Sequence, residues 1–291
     1  MVKNKFRIFG KKLWRIISPI FFYTSPSLGS KILYILSTRK YLNLKNPKDF
    51  NEKLMWLKLN WQSPLIIKCA DKYEVREYLT AHGYSNLLPK LYGVYSESKD
   101  IDWDELPEKF VIKCNHGCGC NIICDDKKKL NKNEASIKLD EWLKTRFAFE
   151  VLELHYDKIT PRIICEEYIE TNDGFLPNDY KIYCFNGEPK IILICTERDI
   201  DLKLKFMDIE WNELNIGEST FINNDFPRKP KWFNDMITIA RDLSRPFPFV
   251  RIDFYDRDDK PFFGEMTFTP AGCAARYYNE VGLKMLGDML I

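Results

Sequence analysis

Val250-Arg-Ile-Asp-Phe-Tyr255 is followed, after a short turn, by Phe262-Phe-Gly-Glu-Met-Thr-Phe-Thr-Pro-Ala-Gly272. Both stretches are apolar and rich in aromatic and β-branched residues, with charges set among them. Alternate residues of a strand share a face, so Arg251 and Asp253 point the same way, as do Glu265 and Thr267. If the two strands pair, Asp253 and Glu265 come within reach of one another. Two carboxylates inside apolar strands repel unless a cation lies between them. Hard carboxylate oxygens suit Mg²⁺, which keeps waters and takes phosphate oxygens as further ligands. Arg251 beside them offers a planar fork for phosphate. The competing structural reading is a neutralising Arg–Asp pair with Glu265 exposed.

Three upstream segments supply compatible chemistry. In Phe110-Val-Ile-Lys-Cys-Asn-His-Gly-Cys-Gly-Cys-Asn121 a strand delivers Lys113 to a loop bearing Gly117 and Gly119. Glycines let backbone N–H groups converge on an anion, and lysine adds a point charge. The order excludes a Walker A loop, whose Lys follows its glycines, and a protein kinase, which also needs a later His-Arg-Asp. Ile122 stands where a dinucleotide fingerprint needs its third Gly. Ile163-Ile-Cys-Glu-Glu-Tyr-Ile169 ends an apolar strand in two acids, able to present backbone groups to a base edge and carboxylates to a sugar. Asp179-Tyr180-Lys181 opens a hairpin whose turn is Asn186-Gly187, the strongest short hairpin signal. Each segment also reads as ordinary structure: a strand–turn–strand, a solvated acidic turn, a cross-strand ion pair.

Periodicity predicts helices from Phe50 to about Trp61, from Pro64 through Tyr78, over 134–149 and over 231–243. It predicts strands near 88–94, 109–113, 122–124, 162–167, 181–185, 189–195, 249–255 and 261–266. No regular parallel rhythm joins them, so the expected class is α+β with antiparallel sheets.

The 291 residues suit two domains or one large domain with a subdomain. Apolar residues at 45% and charged residues at 30% are globular values, and a net charge of +2 excludes a nucleic-acid binder driven by bulk charge. The charge is unevenly placed. Residues 1–48 hold eleven Lys and Arg and no Asp or Glu, leaving 33 basic residues against 42 acidic ones in the remainder. In the arm from Lys3 to Arg15, bases alternate with Phe6, Ile8, Phe9, Leu13 and Trp14, a pattern that fits a helix lying on an anionic membrane face. It equally fits a helix packed on the body with a solvated basic edge. The stretch from Ile16 to Tyr23, interrupted by Ser18 and Pro19, falls far short of a span. Nine cysteines, an odd number scattered through apolar stretches, point to the cytosol. Cys114, Cys118, Cys120 and Cys124 cluster, but their spacing is not that of a usual zinc knuckle.

Together these residues resemble the ATP-grasp enzymes in order and approximate spacing. Asn51-Glu52-Lys53, Ala70-Asp71-Lys72-Tyr73, Asp179-Tyr180-Lys181 with Phe185-Asn186-Gly187, and Gly264-Glu265-Met266-Thr267-Phe268-Thr269 resemble, more narrowly, the TupA-like ATP-grasp family of cell-surface polysaccharide clusters. The resemblance covers roughly 46–290. It implies an ATP-grasp fold of two α+β subdomains gripping ATP, divided here into a basic arm (1–45), a helical region with the Gly-loop subdomain (46–165) and a metal-site subdomain (166–291). It implies that Lys72 and Lys113 contact the phosphates and that Asn115, Gly117, Cys118 and Gly119 belong to the loop over them. Glu166, Glu167, Tyr168 and Ile169 would form the adenine hinge, and Asp179 would hold the ribose. Lys181 and Arg251 would stabilise the transferring phosphoryl group, and Asp253 and Glu265 would hold Mg²⁺. Thr267 stands where the wider superfamily has an Asn ligand, which puts a second metal in doubt.

The implied reaction is carboxylate–amine ligation through an acyl phosphate, with a uronic or amino acid as substrate, in a cytoplasmic enzyme peripheral to the membrane's inner face. Polysaccharide-synthesis enzymes would be its partners; no nucleic acid is expected. The Thr269–Gly272 turn and Arg276 are expected to border the acceptor pocket, Arg276 pairing a substrate carboxylate. The alternatives are a glycosyltransferase, suggested by Asp-x-Asp triplets at 102–104, 199–201 and 256–258, and a non-catalytic ATP-binding module.

Overall fold

The computed structural model describes residues 2–170, 178–196, 203–222, 228–257 and 259–290, with the backbone alone for 2–12 and for 196. The triplet at 199–201 and residue 258 lie outside it. The element order is α1 (Val2–Thr24), α2 (Pro26–Thr38), α3 (Phe50–Asn60), α4 (Pro64–Ala70), α5 (Val75–Ala81), β1 (Leu91–Tyr95), β2 (Phe110–Cys114), β3 (Asn121–Cys124), α6 (Lys132–Lys144), β4 (Ile163–Glu167), β5 (Asp179–Phe185), β6 (Glu188–Thr196), β7 (Lys203–Asp208), α7 (Phe233–Ser244), β8 (Phe249–Asp256), β9 (Pro261–Thr267) and α8 (Glu280–Met289).

Two antiparallel sheets result, ordered β1-β4-β2-β3 and β7-β6-β5-β8-β9. The α+β expectation holds. The division expected between residues 165 and 166 runs through β4, which lies wholly in the first sheet. The Asn186-Gly187 turn forms as read: both residues have positive φ, 50° and 81°, as a two-residue hairpin with the sheet's own twist requires.

Alternation in β5 and β8 gives the larger sheet two different faces. Tyr180, Ile182, Val250, Ile252 and Phe254 face one way and join a core with α4, α5 and α7. Tyr183, Phe185 and Phe249 face the other way, around Phe50 of α3. Phe50 is fully buried, its ring 5.3 Å from Phe249, 5.8 Å from Phe185 and 5.7 Å from Tyr278. Thus α3, α4 and α5, upstream of the Gly-loop sheet in sequence, pack on the downstream sheet.

The Asn51-Glu52-Lys53 triplet staples this arrangement. Asp49 caps α3 by accepting from the Glu52 amide, and Glu52 accepts from the Asn43 and Lys48 amides. Asn51 exchanges two hydrogen bonds with the Ala275 backbone. Lys53 Nζ donates to the Gly287 and Leu290 carbonyls at the end of α8, where orphaned carbonyls favour a cation.

One expected helix is broken. The run from Pro64 through Tyr78 is α4 and α5 separated at Asp71, whose Oδ1 accepts from the Tyr73 amide at 2.7 Å and the Glu74 amide at 3.2 Å. A local side-chain turn of this kind competes with helix continuation. By contrast, α1 continues through Pro19. Helices α2 and α8 and strand β7 are additions to the sequence reading.

Replacing Phe50 with Ala empties the centre of the second core and is expected to cost about 3–5 kcal/mol, read as a lowered urea midpoint with unchanged slope; a shift worth under about 1 kcal/mol would contradict the packing described.

Candidate active site

Past Tyr183 and Phe249, the α3-facing side of the larger sheet turns from aromatic to charged. The register sets Lys181 of β5 opposite Asp253 of β8, and Asp253 opposite Glu265 of β9, with Arg251 opposite Thr267. The expected strand pairing is therefore present, and the charged side chains form one connected row. Arg251 grips Asp253 through two bonds of 2.7 Å, Nε to Oδ1 and Nη2 to Oδ2. Its Nη2 also donates to Glu265 Oε1 at 2.8 Å, which accepts the Thr267 hydroxyl at 2.9 Å. Lys181 Nζ bridges Asp179, at 2.5 Å, and Asp253. Asp253 and Asp179 are buried, at 2% and 3% exposure.

Burial alone would raise the Glu265 carboxyl, but the charges of Lys72, Arg251 and Lys181 and the Thr267 bond outweigh it and bring it from 4.5 to about 2. Burial disfavours the Arg251 cation, yet Asp253 and Glu265 hold it well above the ordinary arginine value. Both groups are ionised at any ordinary pH.

Lys72 and the Gly loop approach the row from the break after α4. Lys72 Nζ donates to the Gly117 carbonyl at 2.5 Å, and its amide donates to the Asn115 carbonyl. Asn115 is fully buried. Its Nδ2 donates to Asp71 and to the Thr160 carbonyl, and its Oδ1 accepts from the Arg162 amide. Its side chain is thus engaged within the protein, tying the break after α4 to the loop. Cys118 stands exposed at the loop apex. Gly119 has φ +71°, and a Cβ on Gly117 would lie 2.5 Å from the Phe147 ring, so both glycines are required for geometry.

Lys113 Nζ meets Glu166 Oε2 at 2.5 Å, and Arg76 meets the other oxygen at 2.9 Å. The Glu167 carboxylate bonds the Lys90 amide and Arg257. Both carboxylates expected at the hinge are thus held by protein groups, while Tyr168 and Ile169 follow the end of β4. Arg276 is exposed, and no bond joins it to the row among the described residues.

Three groups the sequence does not point to also line this region. Lys58 is 5% exposed and donates to the Val151 carbonyl at 2.8 Å. Glu153 accepts the Thr269 hydroxyl. Burial, then the charges of Glu153 and Glu265, raise the Tyr156 hydroxyl well above its ordinary value. They lie in or against an aperiodic stretch, where the only sequence sign is an acid between Leu152 and Leu154.

The donor set fits a hard dication. Asp253 and Glu265 face each other across paired strands and offer hard oxygens of the kind Mg²⁺ takes together with water and phosphate; here Arg251 bridges them, and no cluster of three or more His, Cys, Asp or Glu occurs among the described residues. The Thr267 hydroxyl orients Glu265.

Residues 52–291 match the family model described as TupA-like ATPgrasp. The chain belongs to this family. It has the ATP-grasp fold. Among curated proteins none matches it in sequence. Among solved structures it is similar to the D-alanine–D-alanine ligase of Bacillus anthracis complexed with ATP (15% identity, TM-score 0.46, covering 85% of this chain and 69% of that one). It is also similar to the D-alanine–D-alanine ligase of Helicobacter pylori (13%, 0.44, 83% and 69%). A third is the ATP-grasp ligase PsnB complexed with a minimal precursor, Mg and ADP (10%, 0.41, 82% and 64%).

In this TupA-like ATP-grasp protein, Arg251→Ala leaves two carboxylates facing each other without their cation. The expected loss is about 3–5 kcal/mol, measured by thermal unfolding without nucleotide, with millimolar Mg²⁺ recovering part of it; an unchanged melting temperature would contradict the arrangement.

Proposed function

We propose that this enzyme uses ATP to activate a carboxylate as an acyl phosphate, which an amine then converts to an amide, in cell-surface polysaccharide biosynthesis. The observation that carries the reading is the row Lys181–Asp253–Arg251–Glu265 beside Lys72 and the Gly loop. It offers cations, hard oxygens and backbone amides for a polyphosphate, and phosphoryl transfer needs positioning and charge neutralisation more than a nucleophilic side chain. The Cys118 thiol is raised by desolvation within the loop and by the Glu153 charge, which disfavours a thiolate nucleophile.

In this reading Lys72 and Lys113 hold the phosphates and the 117–119 loop covers them. Glu166 to Ile169 frame the adenine and Asp179 the ribose. Asp253 and Glu265 hold Mg²⁺, which neutralises phosphate charge when bound. Arg251 and Lys181 exchange their carboxylate partners for the transferring group, and Arg276 pairs a substrate carboxylate, a uronic or amino acid. The Asp102–Asp104 triplet has a structural role: Asp102 accepts from the Asp104 amide in a turn.

The site of action is the inner face of the cytoplasmic membrane. Among the described residues no helix is long and apolar enough to cross a membrane. Of the twelve large hydrophobic side chains exposed among them, eight lie between Leu13 and Tyr41. On α1 they are Leu13, Ile16, Ile20 and Tyr23, a helical stripe, while Trp14 and Phe22 pack behind it on Glu150 and Phe149. An apolar stripe in a segment without acids suits an anionic lipid surface.

Phosphate release from Mg-ATP, with uronic and amino acids supplied singly and in pairs, is expected only when a carboxylate and an amine are both present. Glu265→Ala should abolish it. Tight ATP binding without release for any pair would favour a non-catalytic module. The chain should sediment with phosphatidylglycerol vesicles and not with pure phosphatidylcholine. The Ile16→Glu/Ile20→Glu variant should bind about ten-fold more weakly with ATP binding unaltered; equal sedimentation with both vesicle types would exclude charge-guided docking.

A further inference from the structure

The segment between α6 and β4 spans the far end of the site. Phe147 presses on Gly117, Val151 abuts Gly272, and Glu153 accepts the hydroxyl of Thr269, two residues beyond Thr267. It therefore runs from the loop over the phosphates to the turn that follows β9, at the opposite end from the hinge. Glu153 is anchored there by its amide, which donates to the Ala148 carbonyl at 2.9 Å, and by its bond from Thr269. Among the described residues its second oxygen has no protein partner, and the side chain is partly exposed.

We infer that Glu153, oriented by Thr269, is the carboxylate that binds the acceptor amine and takes its proton. This inference rests on the ligase reading and names the group that would serve its second half-reaction. The other carboxylates of this face, Asp179, Asp253 and Glu265, are already bonded to Lys181 or Arg251. Glu153 makes no such ion pair among the described residues, so it retains a charge to offer a ligand. That charge opposes the carboxylate donor and the phosphates and attracts an ammonium group. An ammonium nitrogen has no lone pair. One of its protons passes to Glu153, the freed pair forms the C–N bond as the acyl C–O bond to phosphate breaks, and the second proton leaves with the phosphate.

The charged surroundings suit this exchange. Burial raises the Glu153 carboxyl above its ordinary value; the Thr269 bond, Lys58 and Lys72 act against that rise and Glu150 adds to it. Behind the carboxylate lies Lys58, at 5% exposure with the Val151 carbonyl as its hydrogen-bond partner; burial lowers its ammonium while Cys273 and Glu153 act to hold it up.

The test separates the two half-reactions in the full-length protein. With Mg-ATP and the carboxylate panel, hydroxylamine, mostly uncharged near neutral pH, traps an acyl phosphate as hydroxamate. Lysine, alanine and ethanolamine, as ammonium probes, require proton removal first. In the Glu153→Gln variant, amide formation with the ammonium probes is expected to fall about 100-fold while hydroxamate formation changes less than about two-fold, with Glu153→Asp recovering part of the loss. Equal loss of both products, or of neither, would overturn the assignment. Absence of hydroxamate from the unaltered enzyme would instead overturn the ligase reading itself, because that arm does not involve Glu153. Should Glu153→Gln fail to bind ATP, Thr269→Val, which leaves the carboxylate but not its anchor, is read in the same two arms; a selective loss with ammonium probes supports the assignment and a parallel loss overturns it.

Discussion

The Arg251 guanidinium, clasped by Asp253 and Glu265, is the constraint to which the larger sheet is built. An arginine and two carboxylates cannot be placed singly in an apolar sheet, because each uncompensated charge loses its hydration. Placed together at alternate positions of β8 and β9, they neutralise one another and need only one face. The opposite face can then be wholly apolar, and α4, α5 and α7 bury it. Toward Phe50 the charged face becomes aromatic, so one sheet carries a core at one end and the charged row at the other.

That mutual neutralisation also explains how a buried charged row can act. With no ligand present, Arg251 and Lys181 satisfy the carboxylates; in the proposed reaction the phosphates and the dication replace those partners without creating an unpaired charge. The surrounding parts converge on the row from distant sequence. The break at Asp71 turns Lys72 into the site, Asn115 fixes that break to the Gly loop, and the 147–156 segment walls the far end. Helices α1 and α2 rest on the same segment, through Trp14 on the Glu150 carbonyl, Phe22 on Phe149 and Gly29 against Leu152. The proposed lipid-facing stripe and the proposed acceptor end are thus joined by one stretch of chain.

Much of this was legible because it is governed by short-range rules. Alternation in 250–255 and 262–267 fixed which charges share a face, and Asn186-Gly187 fixed a turn. What escaped depended on long-range contacts. The helix expected from Pro64 through Tyr78 has unbroken periodicity, and only the Asp71 side chain, held by Asn115 more than forty residues away in sequence, shows why it stops. The place of Asn115 beside the Gly loop is plain in the sequence, but its buried bonds to Asp71, Thr160 and Arg162 are not. Glu153 lies in an aperiodic loop and gains meaning only from Thr269. Strand β7, with lysines among its apolar residues, gave no clean period, and Lys205 is buried there against Glu213.

The most direct test of the charged row as a nucleotide site is calorimetric titration of ATP into the protein, once with millimolar Mg²⁺ and once with EDTA. The account predicts binding at least about ten-fold tighter with Mg²⁺, since two carboxylates face the phosphates and need a dication between. Equal affinity under both conditions, or no binding under either, would contradict it.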